Sequence, residues 1–297
     1  MKELSLGVIG MSPGNGHPYS WSAIFNGYDE EAMASCPFPV IPQYLTEQDW
    51  PAAAIPGAKV SHIWTQDPEI SQHIAAAARI PHICGQMEDL IGAVDAVLLA
   101  RDDPENHLRM ALPFLQAGIP VYVDKPVASD MATLEQLFAA RQEDWHLFSC
   151  SAVGYAPEFQ PEDIGDLGEI RYIEASIMKD WGKYGIHIID PVLRLVGEQD
   201  EVLSVVNHKV GEIDRVSVSF GSGLEALFIV SGDTFAPLNI RLYGSKAFRE
   251  LKFQDTFRAF KTALEAFVEG VRGQKQMVSD QFLRSAVSII EKGNTHA

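Results

Sequence analysis

The first half of the chain alternates short apolar runs with segments whose apolar residues recur every three or four positions. The apolar runs predict β-strands at residues 4–9, 60–64, 94–99 and 119–123. The three-to-four spacing predicts helices over residues 17–28 and 70–78, and a further helix through Leu108, Ala111, Leu112 and Leu115. Strands that alternate with helices predict an α/β fold with a doubly wound parallel sheet.

The second half has a different order of elements. After a helix marked by Met131, Leu134 and Phe138 comes a predicted strand at 145–150, and further strands are predicted at 172–178, 202–206, 215–220, 224–230 and 239–243. Ile189, Leu193 and Val196 mark a helix that Gly197 ends, and two more helices close the chain. This order predicts an α+β domain with a large, mainly antiparallel open sheet. We therefore expect domains at 1–126 and 127–297.

Length and charge narrow the class of protein. A chain of 297 residues with 46% hydrophobic residues is long enough for two domains with their own cores. The net charge of −17 disfavours nucleic acid as a partner. It does not exclude an anionic small molecule, because Arg101, Lys125, Lys179 and Lys183 are able to form a local positive pocket.

Compartment and metal content follow from other features of the sequence. The opening MKELSLGVIG has too short an apolar stretch for a secretory signal, and no apolar run reaches the length of a membrane span. We expect a cytoplasmic protein that does not interact with membranes. Cys36, Cys84 and Cys150 are few and widely spaced, which predicts reduced thiols and no cysteine-rich metal site.

A glycine-rich segment follows the first predicted strand. It reads Gly10-Met11-Ser12-Pro13-Gly14-Asn15-Gly16 and leads into a predicted helix. Glycines at such a junction let the backbone approach a pyrophosphate, and the helix offers free N–H groups and the positive end of its dipole. The spacing departs from GxGxxG, and a plain glycine-proline turn is the alternative.

A lysine follows the end of the predicted strand at 119–123. Asp124, Lys125 and Pro126 should emerge at the carboxyl edge of the parallel sheet, where open α/β sheets bind ligands. Pro126 ends the strand and restricts the backbone of Lys125. The lysine can therefore meet an oxygen of a cofactor or substrate, although a polar strand exit is the simpler interpretation.

From residue 94 to Asp124-Lys125-Pro126, through His107, the chain closely resembles the Gfo/Idh/MocA family of oxidoreductases, which usually have Glu-Lys-Pro at this position. The turn at 165–171 and the pair His187 and Asp190 extend the resemblance. It implies a Rossmann-type fold that binds NAD or NADP. It also implies that Lys125 polarises the reacting oxygen, that His187 exchanges its proton, and that Asp190 orients the histidine or the substrate.

The cofactor contacts that this resemblance implies come from the glycine loop and from later turns. They are Gly10, Ser12, Gly14, Asn15, Gly16, Thr65, Asp67, Arg101, His107, Asp124 and Lys125. Thr65 and Gln66 stand where an acidic residue normally holds the adenine ribose, and Asp67 is a weaker candidate or only a helix-capping residue. An ordinary helix residue is the alternative for His107. The choice between NAD and NADP stays open.

One departure concerns the proton-transfer residues. Lys183 stands four residues before His187, where many catalytic members of the family have an aspartate. A cation there favours neutral imidazole, and Tyr184 is able to share the proton transfer. Alternatively, Lys183 and Tyr184 hold a carboxylate or phosphate of the substrate.

We therefore expect an NAD(P)-dependent oxidoreductase that acts on a secondary alcohol of a sugar or cyclitol, with a carbohydrate-like small molecule as its partner. Two alternatives remain: a redox-silent sensor or scaffold, and an enzyme that uses its cofactor transiently for elimination or glycoside cleavage. The family resemblance also implies a homodimer or higher homo-oligomer. The proline-rich segment at 36–57 resembles an insertion that acts as a lid, a partner surface or a structural excursion.

Overall fold

A computed structural model describes residues 2–160, 164–197 and 200–295. The chain divides into two compact units. The first unit consists of Met1–Asp124, Glu135–Ser149 and Ala263–Met277, and the second of Lys125–Leu134, Cys150–Thr262 and Val278–Ala297. The division into domains at residue 126 stays a prediction. The first compact unit also includes the later segments Glu135–Ser149 and Ala263–Met277.

The first unit contains a parallel six-stranded sheet in the order β3-β2-β1-β4-β5-β6. Its strands are β1 (Leu4–Gly10), β2 (Ala58–Thr65), β3 (His82–Ile83), β4 (Ala96–Leu99), β5 (Val121–Val123) and β6 (Leu147–Phe148). β1 and β4 are adjacent, so the strand order changes direction beside β1. This is the doubly wound Rossmann arrangement, and the predicted fold is confirmed.

Six helices accompany this part of the chain. They are α1 (His17–Asn26), α2 (Glu30–Ala34), α3 (Val40–Thr46), α4 (Pro68–Ala77), α5 (Pro104–Gln116) and α6 (Met131–Ala140). Prolines occupy the first turns of α1, α4 and α5, where a missing N–H costs no helical hydrogen bond. Short 3₁₀ turns lie at Met87–Leu90 and Asp144–His146.

The segment at 36–57 is packed into the first unit. Ile41, Tyr44 and Leu45 are buried, and the Tyr44 hydroxyl donates to Ser20 Oγ at 2.5 Å. A Cβ atom added to Gly16 would lie 2.5 Å from Ile41 Cδ1, so this segment closes against the glycine loop itself. These contacts favour the structural excursion among the three interpretations.

The predicted strand at 145–150 is wrong at its beginning. Asp144–His146 forms a 3₁₀ turn, and β6 keeps only two residues. The Glu143 backbone N–H donates to His146 Nδ1 at 3.3 Å, which turns the chain before it can join the sheet. An apolar pattern does not show such a local side-chain bond.

The second unit contains a sheet in the order β12-β11-β7-β10-β9-β8, parallel between β10 and β7 and antiparallel elsewhere. The strands are β7 (Ile170–Ile177), β8 (Val202–Asn207), β9 (Asp214–Phe220), β10 (Glu225–Val230), β11 (Asn239–Gly244) and β12 (Phe248–Lys252). The predicted, mainly antiparallel sheet is confirmed. β12 was not predicted because, as an edge strand, it buries none of its residues fully.

The helices of the later chain are α7 (Trp181–Tyr184), α8 (Ile186–Val196), α9 (Thr256–Gly273) and α10 (Asp280–Gly293), and further 3₁₀ turns lie at Ala152–Tyr155, Pro157–Phe159 and Gly165–Leu167. Within the three described ranges, no helix is long and apolar enough to cross a bilayer. Those ranges also hold no group of three or more His, Cys, Asp or Glu side chains able to bind a metal ion. The three cysteines are free thiols.

Candidate active site

The glycine loop between β1 and α1 contains a tight turn. The Asn15 backbone N–H donates to the Ser12 carbonyl at 3.2 Å, and Gly14 has a φ of 82°. No atom lies within 4 Å of the position that a Gly14 Cβ would occupy, so this face of the backbone is open. At Gly10 a Cβ would lie 2.5 Å from Pro18 Cγ, which makes glycine necessary there. The loop therefore keeps an open glycine backbone despite its altered spacing.

Two carboxylates hold this loop from other strands of the sheet. The Ser12 hydroxyl donates to Asp102 Oδ1 at 2.6 Å and accepts the Asp102 backbone N–H at 3.1 Å. Asn15 Nδ2 donates to Asp124 Oδ2 at 2.8 Å. Ser12 and Asn15 are both buried, so their side chains fix the shape of the loop.

His17 was not predicted as a site residue, and the structure places it beside Asp124. Its Nδ1 lies 2.5 Å from Asp124 Oδ2, and its ring stacks on Trp21 with centroids 5.0 Å apart. The carboxylate accepts from both Asn15 and His17, so it joins the loop to the first turn of α1. No sequence pattern indicated this pair, because its members are 107 positions apart.

The first backbone amides of α1 are bonded within the protein, contrary to the expectation that they are free. The His17 N–H donates to Asn15 Oδ1 at 2.7 Å, and the Tyr19 N–H donates to the Gly16 carbonyl at 3.1 Å. Pro18 has no N–H to offer. The expectation failed because it ignored how the Asn15 side chain and a proline would use these positions.

Arg101 is enclosed by acceptors. Nε and Nη2 donate to the two carboxylate oxygens of Asp103 at 2.9 and 2.5 Å, and Nη1 donates to the Met11 carbonyl at 3.1 Å and to Gln66 Oε1 at 3.0 Å. Burial by itself would raise the pKa of Asp103, but hydrogen bonds from Arg101 and Asn106 hold it below its ordinary value. The guanidinium therefore supports the loop as an internal ion pair.

Thr65 and Asp67 are also engaged internally. The Thr65 hydroxyl donates to the Asp67 carbonyl at 2.6 Å, and the Asp67 carboxylate caps α4 by accepting the Glu69 N–H at 2.9 Å. The helix-capping interpretation of Asp67 therefore describes its contacts. Gln66, which was not predicted as a site residue, is exposed and donates to the Met11 carbonyl at 2.6 Å.

His107 is fully buried in α5. Its Nε2 lies 2.7 Å from the Arg101 carbonyl, and because a carbonyl only accepts, Nε2 carries the proton. The imidazole ties the start of α5 to the turn that carries Arg101. This geometry makes His107 a support of the turn.

The second unit brings together Lys125, Tyr184 and His187. Lys125 is 5% exposed, and its Nζ lies 5.4 Å from the centroid of the Tyr184 ring. The Tyr184 and His187 rings are 5.6 Å apart. Gly185 joins α7 to α8 between them, and a Cβ there would lie 2.8 Å from the Trp181 carbonyl. An ammonium, a phenol and an imidazole therefore lie side by side.

Lys179 joins this group and was named from the sequence only as a source of positive charge. Its Nζ donates to the Tyr184 hydroxyl at 2.6 Å and lies 4.2 Å from the ring centroid. Its φ is 78°, a left-handed conformation that side chains other than glycine rarely adopt. Backbone bonds in both directions with Gly232 hold it there.

We expect Lys179→Gly and Lys179→Ala to be slightly and equally less active than the wild-type protein, and Lys179→Gly to be the more stable of the two variants. Both lose the bond to Tyr184, but glycine removes the cost of a left-handed side chain, about 1 kcal/mol. Thermal unfolding should show this difference, while kcat should fall by a similar small factor in both variants. Equal melting temperatures for the two variants would contradict the strain, and an unchanged kcat would contradict the role of Lys179 in holding Tyr184.

Ser151 is the hydrogen-bond partner of His187 and was not predicted. Its Oγ lies 2.8 Å from His187 Nδ1 and accepts the Val153 N–H at 3.3 Å. A hydroxyl both donates and accepts, so Ser151 can support either neutral tautomer of the imidazole. His187 Nε2 is therefore able to take a proton or give one.

Asp190 is fully buried beneath this pair. Its Oδ2 accepts the Ser151 backbone N–H at 2.9 Å, and its Oδ1 accepts from Arg194 Nε at 2.7 Å. Burial by itself would lower the pKa of Arg194, but the charge of Asp190 raises it above its ordinary value. With 0% of its surface exposed, Asp190 reaches the histidine through Ser151 and is not placed to touch a substrate.

These observations define a class before any comparison: a Rossmann-type α/β protein with a lysine, a tyrosine and a histidine close together in its second unit. Residues 43–150 match the model of an oxidoreductase family with an NAD-binding Rossmann fold. This match confirms the resemblance to the Gfo/Idh/MocA family that was stated from the sequence.

Solved structures share the fold over the whole chain. Myo-inositol 2-dehydrogenase from Lactobacillus plantarum has a TM-score of 0.74 at 14% identity, covering 99% of this chain and 98% of that one. UDP-N-acetylglucosamine 3-dehydrogenase from Acidithiobacillus ferrooxidans has a TM-score of 0.70 at 16% identity, with 98% of each chain covered. Biliverdin reductase from Synechocystis sp. PCC 6803, solved with biliverdin and NADP+, has a TM-score of 0.69 at 14% identity, again covering 98% of each. No curated protein sequence matches the chain.

The glycine loop provides a test of whether a dinucleotide fits. The open left-handed Gly14 lets a phosphate approach the backbone, and the tight packing of Gly10 on Pro18 brings α1 close to β1. Both features suit NAD or NADP. The shape of the loop therefore fits a dinucleotide, although the first amides of α1 are already bonded within the protein.

Proposed function

We propose that this protein is an NAD(P)-dependent oxidoreductase that acts on a secondary alcohol of a sugar, a sugar derivative or a cyclitol. The observation that carries the proposal is that the side chains of Lys125 and His187 both lie next to the Tyr184 ring. Oxidation of an alcohol needs a cation to hold the oxygen and a base to take the hydroxyl proton. This group contains both.

The bound dinucleotide would supply the hydride acceptor or donor. Lys125 binds and polarises the reacting oxygen through its ammonium. His187 takes the hydroxyl proton at Nε2 during oxidation and returns it during reduction, because an imidazole nitrogen both accepts and donates a proton. Tyr184, fixed by Lys179, lies beside the imidazole and shares the proton transfer.

Asp190 and Ser151 are positioning residues in this scheme. The Asp190 carboxylate fixes the Ser151 backbone, and the serine hydroxyl holds His187 Nδ1. Nε2 is therefore the nitrogen that accepts the proton during oxidation and donates it during reduction.

On the cofactor side, we propose that the backbone at Gly10, Gly14 and Gly16 receives the pyrophosphate and that the turns at Thr65, Asp67 and Arg101 lie near the adenosine. Ser12, Asn15, Asp124 and His107 fix these segments. Four N–H groups of Arg101 are already bonded, which leaves little capacity for a 2′-phosphate and favours NAD over NADP.

A carbohydrate-like substrate is supported by structural neighbours that include inositol and UDP-N-acetylglucosamine dehydrogenases. We propose a homodimer, in line with the family. Tyr172, Tyr243 and Phe248 form an aromatic cluster on the second sheet, and Phe248 is 55% exposed, which is consistent with a subunit contact there.

One observation favours a second candidate, a redox-silent member that acts as a sensor or scaffold. The first amides of α1 are bonded internally, and the Asp124 carboxylate lies beside them, so an arriving pyrophosphate meets a less favourable helix end than usual.

Titration with NADH and NADPH, followed by nucleotide fluorescence, separates the two candidates. We expect saturable binding, tighter for NADH, and reduction of NAD by at least one cyclitol or sugar in a substrate panel. The Lys125→Ala variant should bind NADH normally and lose most of its turnover, because its ammonium acts at the reacting oxygen. Absence of saturable binding would remove the leading proposal, and binding without turnover across the panel would favour the second candidate.

A further inference from the structure

His17 is an ionisable side chain of the glycine loop that the proposed chemistry does not use. It is the first residue of α1, directly after Gly16, and its side chain is 18% exposed. Residues 10–26 contain neither Lys nor Arg. His17 is therefore the one side chain of this segment that can carry a positive charge.

The contacts of His17 fix the direction of its ring. Nδ1 lies 2.5 Å from Asp124 Oδ2, and a carboxylate accepts, so Nδ1 carries a proton. Trp21 stacks on the imidazole at an interplanar angle of 13°. Because Nδ1 is bound to the carboxylate, any ligand contact of this ring comes from Nε2.

The backbone around His17 has few donors available for a phosphate. In a dinucleotide fold the pyrophosphate lies against the first turn of the helix that follows the glycine loop. Here the His17 amide is bonded to Asn15, residue 18 is proline, and the Tyr19 amide is bonded to Gly16. The backbone donors of that turn are used, so a side chain must take their place.

We propose that His17 binds the pyrophosphate of the dinucleotide as an imidazolium, donating Nε2–H to a phosphate oxygen while Asp124 holds Nδ1–H. The inference rests on the proposed use of NAD or NADP. Asp124 keeps the ring in position through its contact with Nδ1. The imidazolium in turn screens this carboxylate from the incoming phosphates.

The test compares ligands with and without phosphates in two variants of His17. Asparagine places its amide nitrogen near the position of Nδ1, so His17→Asn keeps a donor for Asp124 and removes Nε2. Glutamine reaches the position of Nε2 and restores a neutral donor. His208→Asn, at an exposed histidine of the second unit, is the matched control.

Calorimetric titration with NADH, ADP-ribose and adenosine gives the readout without turnover. We expect His17→Asn to weaken NADH and ADP-ribose binding by about tenfold to a hundredfold, the usual effect of losing a hydrogen bond to a charged group. His17→Gln should recover part of that loss. Adenosine affinity and the melting temperature should stay unchanged, as should all values for His208→Asn.

Failure of the role of His17 and failure of the proposed function give different results. If wild-type protein binds NADH and His17→Asn binds it equally well, the role of His17 is wrong and the proposed function stands. If wild-type protein binds neither NADH nor NADPH, the proposed function fails together with this inference. Equal weakening of adenosine and ADP-ribose would also overturn the inference, because it would show a general distortion of the loop.

Discussion

Replacing His187 with asparagine is expected to lower kcat by about 100-fold to 10 000-fold, the usual contribution of a positioned acid or base. Asparagine keeps a polar contact with Ser151 but cannot exchange a proton. The affinity for NADH should change little, since the imidazole acts at the reacting carbon. Steady-state kinetics with the best alcohol of the panel measure kcat, and fluorescence titration measures the affinity for NADH.

The same role for His187 predicts how the rates of oxidation and reduction change with pH. In wild-type protein, oxidation should fall toward low pH as His187 becomes protonated, and reduction should fall toward high pH as it loses the proton. The His187→Asn variant should lose these limbs of the profile. If the His187→Asn variant is less stable, loses activity in proportion to its unfolded fraction and keeps the wild-type pH profile, His187 is a structural residue.

Replacing Gly154 with alanine is expected to reduce the free energy of unfolding by about 3–5 kcal/mol, the cost of breaking a buried ion pair. The added Cβ would lie 1.8 Å from Asp190 Oδ1 and 2.7 Å from Arg194 Nε. Asp190 is fully buried, and the Arg194 guanidinium packs 4.2 Å from the Tyr155 ring centroid and 4.9 Å from the Phe282 ring centroid, so the pair cannot yield without losing these contacts. Chemical denaturation measures the loss.

Gly165→Ala is the matched control for this substitution. Its added Cβ meets no atom within 4 Å, and its φ is outside the left-handed range. We expect it to change stability by less than about 0.5 kcal/mol. A Gly154→Ala protein as stable as the Gly165→Ala protein would contradict the role of the Asp190 and Arg194 pair as the base of the site.

The fold was predictable because its signals are repeated along the chain. Apolar runs marked β1, β2, β4 and β5, and helical periods marked the elements between them. The exceptions are short or exposed elements. β12 is an edge strand with little burial, and the Asp144–His146 turn depends on local hydrogen bonds between Glu143 and His146.

The site residues were predictable only where the residue type and its position in a strand or helix together indicate a catalytic role. Lys125 at a strand end and His187 on a helix have such signals, and the structure brings both beside Tyr184. His17 and Ser151 have none. Their roles depend on Asp124 and Asp190, which are 107 and 39 positions away, and pairing over that distance leaves no periodic trace in a single sequence.

The α1 amides show a different reason for failure. A strand, a glycine loop and a helix predicted free donors at the helix start. The side chain of Asn15 and the ring of Pro18 removed two of them, and a backbone bond to Gly16 removed a third. The type of motif was readable from the sequence, but the occupancy of its donors was not.

The central claim is that Lys125 and His187 act together on an alcohol held beside a nicotinamide ring. A crystal structure of the protein with NADH and a cyclitol or sugar from the panel tests it most directly. We expect the Lys125 ammonium and His187 Nε2 to contact the same substrate hydroxyl, with its carbon roughly 3–3.5 Å from nicotinamide C4. A nicotinamide bound away from these two side chains, or packed protein between them, would contradict the account.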